Sequence, residues 1–260
     1  MFELKVVKDA LSIDNVEKRW PIRLLFLFVF LIQTLSMIRP VGNADMSIAL
    51  LWATSLVEAI QSAAPTIPDL QMFFPIPEEV KQNYIYVIFQ VVKSFFYILL
   101  IFFASSLYIG ERKKILPMKM IFQYIRRLPW LLIFLFVAGV FLFVFMMFTV
   151  LVPFLLFFVL FAVPFLLLTA NLIIADKKNP IDAWIYCVRY SRGKRFWLLS
   201  QVLVVLMLYN LVSSLLGNFV PPSSIGAMMI GSALFSYFLC AIGRLSGIYY
   251  YKVNVAEVFV

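Results

Sequence analysis

Residues 130–175 read WLLIFLFVAGVFLFVFMMFTVLVPFLLFFVLFAVPFLLLTANLIIA, without one charged side chain. At about 1.5 Å per residue the run makes roughly 70 Å of helix, whereas about 30 Å crosses the hydrocarbon core of a bilayer. It therefore predicts two spans, near 130–149 and 153–175, joined by a tight turn at Thr149–Pro153. Pro164 falls inside the second, where it should bend the helix and free a carbonyl for a neighbour to satisfy. The whole chain agrees, with 64% hydrophobic residues, 13% charged and a mean hydropathy of +0.99, against about 25% charged in a soluble domain. The expected fold is all-α: a polytopic membrane helix bundle of about six transmembrane helices, with amphipathic interfacial elbow helices on the cytoplasmic side. One integral membrane domain fills residues 1–260.

Upstream, residues 1–20 read as an amphipathic helix on the inner membrane surface, with Leu4, Val7 and Leu11 at helical spacing. A first span near 22–38 follows. Residues 39–83 form the longest external region, marked by Pro65, Pro68, Pro75 and Pro77; within it 47–64 is either an interfacial or a re-entrant helix, because Glu58 argues against an ordinary span. A span near 84–110 carries Lys93. In the basic loop 111–129, Met120, Ile121, Tyr124 and Ile125 give the lipid-facing stripe of a second surface helix that ends in Trp130. Downstream, spans near 196–216 and 227–251 flank a turn containing Pro221 and Pro222.

The net charge of +9 does not point to nucleic acid, because the basic residues sit beside apolar runs rather than along one groove. Of the 22 lysines and arginines, only Arg39, Lys81 and Lys93 fall outside residues 1–23, 111–129, 176–195 and the C-terminal end. The positive-inside rule then places both termini of a multi-pass membrane protein in the cytoplasm. The first apolar run lacks a small-residue cleavage site, so the N-terminus is expected to be retained. Cys187 and Cys240 lie too far apart in character to form a disulfide framework and read as free thiols.

Between the charge-free run and the fifth span lies DKKNPIDAWIYCVRYSRGKRFWLL, residues 176–199. Asn179 is suited to an N-cap and Pro180 to the first helical position; Ile181, Trp184, Ile185 and Val188 then share an apolar face. Asp182 near the start and Arg189 and Arg192 near the end complement the helix dipole. Three connections end alike, in Lys18-Arg19-Trp20, Arg126-Arg127-Leu128-Pro129-Trp130 and Lys194-Arg195-Phe196-Trp197. Basic heads meet phosphates and tryptophan prefers the interface, so Arg126, Arg127, Trp130, Arg189, Arg192, Lys194, Arg195 and Trp197 are candidates for contact with lipid headgroups or a partner. Asp176, Pro180, Ala183, Ser191, Gly193, Arg195 and Trp197, in that order after a charge-free hairpin, resemble the pattern of the glycerophosphodiester phosphodiesterase membrane-domain-like family of bacterial six-span proteins. Cys187 stands where that family often has serine. The resemblance covers roughly residues 105–251 and implies a six-span membrane domain without the soluble phosphodiesterase, for which this chain has no room.

The chain contains no histidine, which removes the commonest neutral metal ligand and general base, and it has no HExxH or Walker motif. No cofactor is expected. The polar residues at membrane depth are Gln33, Gln90, Lys93, Asn171, Gln201, Asn210 and Arg244, and they make no recognisable acid–base pair. Lys93 is expected either to snorkel or to pair with an acid such as Glu58, Arg244 to reach headgroups, and Asn171 and Asn210 to bond between helices. Ser236, Cys240, Gly243 and Gly247 form a small-residue face for packing within the chain or for a homo-oligomer. The expected function is that of a non-enzymatic membrane protein in envelope or export work, with membrane lipids and other membrane subunits as partners. The alternatives are a permease component served by a separate ATPase, and an intramembrane lipid enzyme.

Overall fold

The computed structural model describes residues 3–62, 76–151, 156–191, 193–219 and 224–254. Among these, nine α-helices follow one another: α1 Leu4–Leu11, α2 Trp20–Ile38, α3 Ser47–Ser62, α4 Glu78–Arg112, α5 Pro117–Leu151, α6 Leu156–Ala175, α7 Pro180–Tyr190, α8 Arg195–Phe219 and α9 Ile225–Asn254. The protein is an all-α polytopic bundle in which α2, α4, α5, α8 and α9 are long and apolar enough to cross a membrane. Helix α6 has 20 residues and no charge, and at about 1.5 Å per residue it too reaches about 30 Å. The chain divides into one unit of residues 1–31 and 98–260 and another of residues 32–97.

In the larger unit the core runs through α6, whose Leu168, Ala170, Leu172, Ile173 and Ile174 are fully buried against α5, α7, α8 and α9. Large apolar side chains such as Phe136, Phe141 and Met207 point outward instead. An apolar exterior around a packed interior is what a bilayer solvent permits, since lipid tails solvate such groups as well as a core does.

Close approach of α9 to α4 depends on glycine. A Cβ on Gly243 would lie 2.5 Å from Ala104 Cβ and 2.9 Å from the Ile101 carbonyl oxygen. One turn on, a Cβ on Gly247 would sit 3.3 Å from Tyr108 Cβ. The small face that includes buried Ser236 and Cys240 is thus used inside the chain, with both glycines against α4.

The expected surface helix before Trp130 is absent. Helix α5 runs unbroken from Pro117 through Pro129 to Leu151, and Met120 and Tyr124, assigned above to lipid, turn inward. The reason is a space at Gly110, where a Cβ would meet Met120 Cγ at 2.1 Å, and an acceptor at Leu99, whose carbonyl takes the Tyr124 hydroxyl at 2.8 Å. Of the turn expected near Thr149–Pro153, residues 149–151 are helical and belong to α5, and Pro153 lies outside the described residues, as do Pro65, Pro68, Pro75, Pro221 and Pro222. Helix α1 is not a free surface helix either, since Val7 and Ala10 are buried against α9 and α8.

The smaller unit is made of the end of α2, α3 and the start of α4. Gly42 (φ +79°) turns the chain so closely over α4 that a Cβ would lie 2.4 Å from the Gln82 carbonyl oxygen. Asn83 then donates to the carbonyls of Asn43 and Asp45 at 3.0 and 2.6 Å. Deeper, Tyr97 donates to Gln33 Oε1 at 2.6 Å.

Candidate functional site

Charged side chains gather at the end of the bundle that carries α1, α7 and the C-terminus of α9, and several of them bind one another. Asp176, one residue past α6, accepts from Lys113 Nζ at 2.7 Å and from the Tyr250 hydroxyl at 2.5 Å. Gln123 of α5 donates at 2.6 Å to the Ile174 carbonyl, one of the last acceptors of α6 that no helical amide can reach. Lys177 then takes a left-handed conformation (φ +57°), which reverses the chain into α7. Asn179 has the extended conformation of an N-cap, but its side chain makes no capping bond; Pro180 starts the helix.

Helix α7 is split by chemistry. Ala183 and Cys187 are fully buried, while Ile181, Trp184, Ile185 and Val188 are exposed to the surroundings of the bundle. Ser191 donates to the Cys187 carbonyl at 2.5 Å and accepts from Arg195 Nε at 2.7 Å. Arg195 also donates to the Val188 carbonyl at 2.8 Å and lies 3.9 Å from the centre of the Phe165 ring. It is therefore a cap for the end of α7, with a cation–π contact beneath it, rather than a free headgroup ligand. Gly193 (φ +78°) makes the turn that lets Arg195 reach back. Burial of Cys187 pushes its thiol above the usual range.

Two more expected headgroup contacts also turn inward. Trp197 is only 5% exposed; its indole donates to Glu3 Oε1 at 3.0 Å and stacks on Tyr249. The attraction is the Glu3 carboxylate, which also takes Lys252, whose ammonium lies 3.9 Å over the Trp197 ring. Lys194 donates to the Lys252 carbonyl at 2.8 Å, capping α9, and burial together with the Lys252 charge lowers its pKa. Arg126, Trp130 and Arg189 are exposed and Arg127 is half-buried; Arg192 lies outside the described residues.

Arg244 corrects its expectation most fully. It is 6% exposed and does not snorkel: it donates to Asp9 at 2.6 Å and to the carbonyls of Ser12 and Asn15 at 2.8 and 3.0 Å, with Tyr108 4.7 Å beneath its guanidinium. Tyr237 and Tyr108 add bonds to the Leu11 and Ile13 carbonyls. Together these donors satisfy the carbonyl of Leu11, the last residue of α1, and those of Ser12, Ile13 and Asn15 in the segment that follows it. The sequence signal for Asp9 was an acid in a basic segment, opposite an arginine at depth; spacing along the chain gave no hint of the pairing.

Asn171 is buried and bonds to Ser246 Oγ at 2.8 Å, joining α6 to α9. Asn210, expected to bond between helices, is exposed instead, because the α8 face toward the core is set by Leu198, Val202 and Val205. Lys93 is half-buried, 3.4 Å from Ser36 Oγ and 5.7 Å from the Phe89 ring, and no ion pair with Glu58 forms among the described residues. No group of three or more metal-ligating side chains occurs among them. No protein-family model, curated protein or solved structure matches the chain.

Proposed function

We propose that this chain is a non-enzymatic membrane subunit of a larger envelope or export assembly in the bacterial cytoplasmic membrane. Six spans and cytoplasmic termini belong to the same reading. The observation that carries it is the arrangement at the charged end. Glu3, Asp9, Asp176, Lys113, Arg195 and Arg244 are consumed in internal bonds that fix α1, α7 and the ends of α6 and α9. Beside this braced end, Arg126, Arg189, Trp130, Trp184 and Ile181 stand exposed, a set suited to headgroups and a partner at the membrane surface. The resemblance to the glycerophosphodiester phosphodiesterase membrane-domain-like family supports the reading. Asp176, Ala183, Ser191, Gly193 and Trp197, which carry it, each have an internal role at the α6–α7–α8 joint.

Isolation of the tagged protein in a mild detergent tests the assignment. A stoichiometric membrane or cytoplasmic protein, lost on Arg126→Glu and Arg189→Glu, is expected; a bound ATPase would make the chain a permease component instead. A protein isolated alone, with growth and envelope integrity unaffected by its deletion, would refute the assignment. Orientation is tested in a background lacking Cys187 and Cys240. Single cysteines at Asp45 and Lys178 should label from opposite sides of the membrane.

A further inference from the structure

Two partly open cavities, of about 380 and 480 Å³, adjoin where the segment between α1 and α2 crosses the end of α4. They share Glu17, Tyr108, Glu111 and Lys114. Away from these shared groups they differ. The first is walled by Ile22, Leu107, Leu116 and Pro117, the second by Asp9, Arg112 and Arg244. One side suits hydrocarbon and the other an ionic group. Both lie where α2 begins and α4 ends, the level at which a spanning helix meets lipid headgroups.

The charges still available narrow the ligand. Asp9 is shared by Arg244 at 2.6 Å and Arg112 at 3.8 Å, Arg112 also lies over the Tyr251 ring, and the Tyr108 hydroxyl is used on Ile13. Glu111 spends one oxygen on the Glu17 amide at 2.6 Å, which ties the crossing segment to α4. Among the described residues the Lys18 and Lys114 ammonium groups have no hydrogen-bonded or ion-paired partner, and neither has the Glu17 carboxylate. A purely anionic ligand that meets the lysines also meets Glu17 and Glu111. A purely cationic one has the reverse difficulty. A group carrying a phosphate and an ammonium a few bonds apart satisfies both sets, and the apolar wall takes the glycerol and the first methylenes of a chain.

We propose that these cavities form one site for an aminophospholipid of the phosphatidylethanolamine type, with Lys18 and Lys114 on the phosphate and Glu17 and Glu111 on the ammonium. The site is separate from the partner surface of Arg126 and Arg189, so either proposal stands without the other.

Delipidated protein in detergent, titrated with short-chain phosphatidylethanolamine or phosphatidylglycerol and read by native mass spectrometry, gives the test. Wild type should favour phosphatidylethanolamine by about tenfold, the value of one charge-assisted hydrogen bond. Lys114→Gln, or Lys18→Gln should the first variant fold poorly, should weaken both lipids by a similar factor. Glu17→Gln should erase the preference while leaving phosphatidylglycerol binding intact. Glycerophosphoethanolamine, which lacks the chains, should bind far more weakly. Equal affinity for the two lipids in wild type, lipid binding unmoved by the variants, or glycerophosphoethanolamine binding as tightly as the lipid would each overturn the proposal.

Discussion

Replacing Gly243 by alanine is the sharpest test of how α9 meets α4. Any glycine-to-alanine change inside a helix should gain about 0.5–1 kcal/mol from backbone entropy. At Gly139, where a Cβ would find nothing within 4 Å, that gain stands alone. At Gly243 the methyl would arrive 2.5 Å from Ala104 Cβ and 2.9 Å from the Ile101 carbonyl oxygen, so two helices must part by roughly an ångström to restore ordinary contact. Over-packing of this kind costs about 1–3 kcal/mol. The propensity gain is common to both sites and cancels, so Gly243→Ala should be less stable than Gly139→Ala by about 1–3 kcal/mol. Reversible unfolding in mixed micelles of mild detergent and dodecyl sulfate measures the difference directly. Adding Ala104→Gly to Gly243→Ala should return part of the loss, because the 2.5 Å contact disappears and the 2.9 Å contact with backbone remains. A Gly243→Ala protein as stable as Gly139→Ala would show that α9 and α4 do not meet in this register.

Asp9→Asn keeps the carbonyl contacts of Arg244 but removes its counter-ion, and should weaken the docking of α1 by about 1–2 kcal/mol, the value of one charge-assisted hydrogen bond discounted for the partial exposure of Asp9. Faster amide exchange confined to residues 4–11 would report it. Acid should act on the same element. The Lys252 hydrogen bond holds the Glu3 carboxyl below its ordinary value of 4.5, and that of Arg23 holds Asp14 below 3.8. A depressed carboxyl stabilises the fold above its unfolded value and ceases to do so as pH falls through the folded one. Exchange of α1 should therefore rise only below about pH 4.5, and Glu3→Gln should flatten the higher part of that rise. Cys187, buried and with its thiol shifted upward, should react with maleimide far more slowly in the folded protein than after denaturation; fast native labelling would place α7 elsewhere.

Helix content and the interruption at 176–195 were legible because both depend on local composition: a charge-free run of that length has no soluble alternative, and Asn179-Pro180 marks a helix start by backbone geometry alone. Side-chain destinations were less legible. Lys194, Arg195 and Trp197 have the sequence of a generic interfacial anchor, yet each finds an acceptor within the protein: the Lys252 carbonyl, the end of α7 and Glu3. Pro129 suggested a boundary, but a helix can pass a proline when packing on both sides holds it, as Met120, Tyr124 and Leu131 do here. Met120 and Tyr124 looked lipid-facing because an apolar stripe has the same appearance whether it meets lipid or another helix.

The clasp on α1 also sets an order of assembly. Asp9 and Arg244 are 235 residues apart, and Glu3 and Lys252 are 249 apart. Helix α1 thus lacks its ionic partners on α9, Arg244 and Lys252, until α9 has been made, a wait of roughly 10–50 s at about 5–20 residues per second. Until α8 and α9 follow, its buried face, Val7 and Ala10, has only the membrane surface or a chaperone to cover it. Docking of α1 becomes the closing step of biogenesis, and a chain that stops short of α9 carries an undocked N-terminus that marks it as unfinished.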